Sequence, residues 1–78
     1  MRLTFNEKRE LDALPAELEA LEREQHALSE RICAADYHRQ GVDVIKRDRR
    51  RAEEIERLLT ARFERWGELD AKAQASET

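Results

Sequence analysis

The chain has 78 residues, with 15 basic against 18 acidic side chains, a net charge of −3 and 42% charged positions. Ala, Glu, Leu and Arg far outweigh β-branched and aromatic residues, which weighs against a sheet and points to an all-α fold. No apolar run approaches the ~20 residues of a membrane span. One Cys cannot close an internal disulfide and no secretion signal is present, so the expected setting is cytoplasmic; two Gly leave no room for a phosphate-cradling loop.

Two interruptions divide a long helical pattern. The first is Pro15, which suits the first turn of a helix and disfavours α geometry at Leu14. The second is the stretch from Asp36 to Gly41. Three helical pieces are predicted, over about 5–13, 15–34 and 43–72. Thr4 and Glu7 have capping-box spacing and would start the first. Asp43 is placed to cap the third, with its carboxylate at the positive end of the helix dipole. The organisation expected is a short helical segment over 1–14, a hairpin over 15–72 with its turn near 36–41, and a frayed tail over 73–78.

Apolar spacing sets the architecture. The second piece carries Leu14, Leu18, Leu21, Gln25, Leu28, Ile32 and Ala35, in steps of four and three. The third carries Ile45, Asp48, Ala52, Ile55, Leu59, Arg62, Trp66 and Leu69, in steps of three and four. That alternation is the heptad signature of helices wound left-handedly about each other. With a short break between them, the two should fold back as an antiparallel coiled-coil hairpin preceded by a short helix. In one register the numbers of facing residues add to 80: Leu14 with Trp66, Leu21 with Leu59, Gln25 with Ile55, Leu28 with Ala52, Ala35 with Ile45, and Leu11 with Leu69. Gln25, Asp48 and Arg62 are polar positions on the seam, which cost stability and fix register; Arg62 has the alternative of laying its stem on Leu18 with its head in water. The first segment is expected to fold across the open end, covering Phe63 and Trp66 with Phe5, Leu11 and Leu14. The alternative is a frayed start with Phe63 partly exposed.

Candidate chemistry is sparse. His26, Cys33 and His38 are the only soft metal ligands, and their spacings match no zinc pattern. A Cys–His nucleophile lacks an orienting group and a pocket. Glu17, Glu19, Glu22 and Glu24 read as a solvated face with i,i+4 partners. No catalytic constellation is expected, and no cofactor or metal.

Charge is distributed unevenly. Residues 1–35 hold 5 basic and 8 acidic side chains, residues 36–51 hold 6 and 3, and residues 52–78 hold 4 and 7. The hairpin tip is thus the positive end of an acidic rod. Lys46, Arg47, Arg49, Arg50 and Arg51, with Arg39 and His38, are the candidate nucleic-acid contacts, because Arg grips phosphate with paired donors and a cluster can follow a backbone. The opposing reading is a solvated helix end, partly neutralised by Asp43, Asp48, Glu53 and Glu54.

Both ends of the chain resemble a known family. The string RLTFNEKRELDALP over residues 2–15, followed by Leu18-Glu19-Ala20-Leu21-Glu22, is similar to the opening of the C-terminal domain of ABC-F ATPases of the Uup type. Phe63-Glu64-Arg65-Trp66-Gly67-Glu68-Leu69-Asp70 resembles that domain's close. The likeness spans about residues 2–71. It departs at the turn, where Ala35-Asp36-Tyr37 lacks the family's Pro, and at Phe63, where the family has Tyr. The resemblance implies a C-terminal coiled-coil module of a cytoplasmic bacterial protein with two ATP-binding cassettes. ATP and Mg would belong to those cassettes, so the module itself would not be an enzyme. The partners implied are DNA, or structured RNA and the ribosome, together with the cassettes. No membrane is implied, and a monomer is expected. The competing function is a structural or protein-binding arm without nucleic-acid contact.

Overall fold

The computed structural model describes residues 2–75. Helix α1 runs Phe5–Ile32, a 3-10 turn occupies Tyr37–Arg39, and helix α2 runs Val42–Ala75. Lys72 near the end of α2 bonds Glu7 near the start of α1, and Arg31 at the end of α1 bonds Asp48 near the start of α2. The helices are therefore antiparallel, and the fold is the all-α hairpin expected. It is a rod of 57 × 17 × 15 Å, as long as its longer helix at about 1.5 Å per residue requires.

The capping box starts α1 as expected: the Glu7 N–H donates to Thr4 Oγ1 at 3.1 Å, and the Thr4 N–H donates to Glu7 Oε1 at 2.9 Å. Residues 5–13 are helical, but Pro15 does not begin a second helix; it lies inside α1. Its ring nitrogen cannot donate to the Leu11 carbonyl, which costs the helix one bond. The helix continues because Leu14 and Leu18, on either side of the proline, are both buried.

The core is a single row of contacts. Leu14, Leu18 and Leu28 of α1 and Ile55 and Leu69 of α2 are its buried apolar members, the last two 0% and 1% exposed. Leu11, Leu21, Gln25, Ile45, Ala52 and Leu59 are half-buried beside them. Arg62 sends its Nε to Glu17 Oε2 at 3.3 Å, so its head is paired across the seam.

The expected fold-over at the open end does not occur. Because α1 is unbroken at Pro15, its first turns run along the hairpin instead of crossing it. Phe5 is 75% exposed, Phe63 51% and Trp66 39%, while Leu14 spends its burial on the seam. The Arg9 guanidinium lies over the Phe5 ring, 5.9 Å from its centroid.

The ends also move. α1 stops at Ile32, and α2 starts at Val42, so Asp43 stands in the first turn of α2 instead of capping it. An acidic residue in the first turn still suits the positive end of the dipole. Ala73–Ala75, expected in the frayed tail, are helical; the rest of that tail lies outside the described residues. No helix among the described residues is long and apolar enough to cross a membrane.

Candidate functional site

The tip of the hairpin is built from backbone hydrogen bonds. The Cys33 N–H donates to the Ser29 carbonyl at 3.0 Å and the Ala34 N–H to Arg31 at 3.2 Å, closing α1. The Tyr37 N–H then donates to Ala34, Arg39 to Asp36 and Gln40 to Tyr37, at 3.0, 3.0 and 2.9 Å. Gln40 is extended and leads through Gly41 into α2. No residue among those described has a positive φ, so Gly41 makes the break without a left-handed conformation.

Asp48 organises this end. It is 2% exposed, yet every demand of its carboxylate is met. Arg31 donates through Nε to Oδ2 at 3.2 Å and through Nη2 to Oδ1 at 2.7 Å, and the Tyr37 hydroxyl donates to Oδ2 at 2.8 Å. The bonds from Arg31 and then Tyr37 hold the Asp48 carboxyl below its ordinary pKa. Burial, then the carboxylate it serves, push the Tyr37 hydroxyl up. Asp48 was expected on the seam and is found there; its two partners were not foreseen. An acid at a seam position within reach of a turn tyrosine was the available signal.

The candidate basic residues divide into two groups. Arg51 is committed: it donates to Glu24 through Nε at 2.6 Å and Nη2 at 2.7 Å, and also to Glu54. It does not join the free charges. Lys46, Arg47, Arg49 and Arg50 are exposed on the first turns of α2, and Arg39 is exposed at the end of the 3-10 turn. None of these five makes an ion pair among the described residues. Lys46, Arg49 and Arg50 are spaced three and four apart and so share a helix face. What the arrangement can do is bind anions at several points, with Arg supplying paired donors.

The carboxylates of α1 were misjudged by sequence. Arg23 and Glu19 form the expected intrahelical pair at 3.4 Å. Glu17 and Glu24, however, reach across to α2. Glu10, Glu17, Glu24 and Arg31 recur every seven residues, and all four pair with α2. Glu10 takes Arg65 Nε at 2.7 Å and Nη2 at 3.0 Å. Their place beside the seam, where heptads put interhelical charges, was the missed signal. The α1 edge is thereby neutralised, whereas the tip keeps its charge.

Elsewhere, His26 Nε2 lies 3.0 Å from Glu30 Oε1, Cys33 is exposed, and His38 is in the 3-10 turn. No group of three or more His, Cys, Asp and Glu among the described residues could hold a metal ion. Gly41 sits in the turn and Gly67 within α2.

The family model of the ABC transporter C-terminal domain matches residues 2–71, which covers α1, the turn and all but the last four residues of α2. No curated protein and no solved structure matches the chain.

Proposed function

Since the chain belongs to the ABC transporter C-terminal domain family, we propose that it is the nucleic-acid-contacting module of a cytoplasmic ABC-F-type ATPase. ATP and Mg would be handled by that protein's cassettes, and these helices would supply binding alone. The observation that carries the reading is the set of five unpaired cations, Arg39, Lys46, Arg47, Arg49 and Arg50, at one end of a rod whose remaining charges are largely acidic or paired. Phosphate contacts of this kind give affinity without base sequence preference. The duplex meets only part of the set at once. With about three phosphates neutralised, log affinity falls with log salt at a slope near −2 to −3.

The test is binding of a labelled DNA duplex and a structured RNA across a salt series. Lys46→Glu with Arg50→Glu should abolish binding and leave helicity intact, while Arg57→Glu, an unpaired cation farther along α2, should have a smaller effect. If the double variant binds like the parent, the tip is a solvated helix end. The exposure of Phe63 and Trp66 favours a second reading for the other half of the rod, a contact with protein such as the cassettes. Docking there would persist at high salt.

A further inference from the structure

We infer that Asp48, with Arg31 and Tyr37, is a positioning device that holds Arg39 of the turn beside the cations of α2, so that the two segments act as one phosphate-binding surface. The inference rests on the nucleic-acid reading above and adds residues that would touch no phosphate themselves.

The need for such a device follows from the turn's own composition. None of the three residues of the 3-10 turn is buried, and its N-cap, Asp36, makes no side-chain cap bond. The bond from the Tyr37 hydroxyl to Asp48 Oδ2 is the only side-chain hydrogen bond among the described residues that ties the turn to either helix. A turn held by its backbone alone, in water, opens readily.

The same carboxylate also receives Arg31 from the last turns of α1. One buried group therefore joins the end of α1, the turn and the start of α2. Lys46, Arg49 and Arg50 are placed by α2 whatever the turn does. Arg39 is placed only by the turn, two residues after Tyr37. An ionised acceptor makes the tyrosine bond stronger than a neutral one would be, and its removal leaves the aromatic ring in place. The lock thus governs one cation of the five and leaves the other four untouched.

Tyr37→Phe is the direct test, with Arg39→Ala, the double variant and Asp48→Asn beside it. Each is measured by anisotropy with a labelled DNA duplex of about 20 base pairs, from low to moderate salt, and by amide exchange at Tyr37, Arg39 and Gln40. Tyr37→Phe should speed exchange at Arg39 and Gln40 while the middle of α1 is unchanged. It should also make the salt slope shallower by about one, the loss of a single phosphate contact. Arg39→Ala should give the same slope, and the double variant should lose nothing further. Asp48→Asn, checked for retained helicity, should speed exchange at Arg39 and Gln40 in the same way; because it also frees the Arg31 guanidinium, exchange alone is its readout.

A Tyr37→Phe chain that keeps the full slope, or keeps its turn protection, overturns the inference while the parent's own salt dependence keeps the nucleic-acid reading standing. A parent with a slope near zero overturns both.

Discussion

Ile55 and Trp66 lie on the same helix and carry opposite lessons about size and burial. Ile55 is fully enclosed, so Ile55→Ala leaves a cavity that two helices close only in part. The expected loss is about 2–5 kcal/mol, a large share of the stability of so small a domain. Trp66 is far larger, but more than a third of it faces water. Its truncation should therefore cost less than that of Ile55, and indole emission should lie toward the red. Urea denaturation of the two variants settles the order; a Trp66→Ala chain less stable than Ile55→Ala would mean that the indole is enclosed in solution. Asp48 and Arg51 show how differently two charges of the same short run are used. The first is buried and serves three segments, and the second is locked by Glu24 and Glu54, leaving their neighbours Lys46, Arg47, Arg49 and Arg50 free.

At the level of the helices, α1 is joined to α2 by carboxylates whose acidity the pairing strengthens. The bond from Lys72, then the Thr4 backbone, lowers Glu7 to about 2. Glu10 is lowered by Arg65 and Glu24 by Arg51. These groups hold their protons less tightly folded than unfolded, so their contribution is complete above the ordinary carboxylate value of 4.5 and disappears as pH falls through the folded values. The melting temperature should be flat from about pH 8 to pH 5 and drop between about pH 4 and pH 2, as followed by circular dichroism. A second expectation concerns Pro15. Pro15→Ala restores the bond to the Leu11 carbonyl and should raise stability by about 1–3 kcal/mol in a urea titration. No gain would show that the helix relaxes around the ring at no cost. The alternation of three and four made both helices and their antiparallel return legible in sequence. It also placed Trp66 on the seam, where counting cannot tell a squarely facing row from a flanking one. Asp48, Ile55, Arg62 and Leu69 face α1, whereas Ile45, Ala52, Leu59 and Trp66 lie to the side, and a lone pair of helices has no third to cover them. Pro15 was read as a boundary because local preference says so; burial of Leu14 and Leu18 overrides it. The basic run was legible from charge alone. Which of its members are free was not, because the partner of Arg51 is supplied by the other helix and depends on register.

Taken whole, the molecule is elongated, with a Cα radius of gyration of 17.3 Å against about 11–12 Å for a compact domain of this size. Small-angle scattering should return a value near the first for a monomer. Two rods joined side by side through Phe63 and Trp66 would show a doubled mass and a wider cross-section, and the experiment distinguishes them directly. The five free cations of the tip stand at one end of this rod and the ends of α1 and α2 that lie nearest the termini stand at the other, 57 Å being the full length. A stiff rod gripped at one end is a lever. Tilting its base by about 10° sweeps the tip through roughly 10 Å, the reach of a rigid-body rotation of the kind that domains undergo about an interface. That displacement is about three base-pair steps of a duplex. A rotation too small to disturb any contact in the shaft is thus large enough to bring the charged end onto a backbone or lift it off.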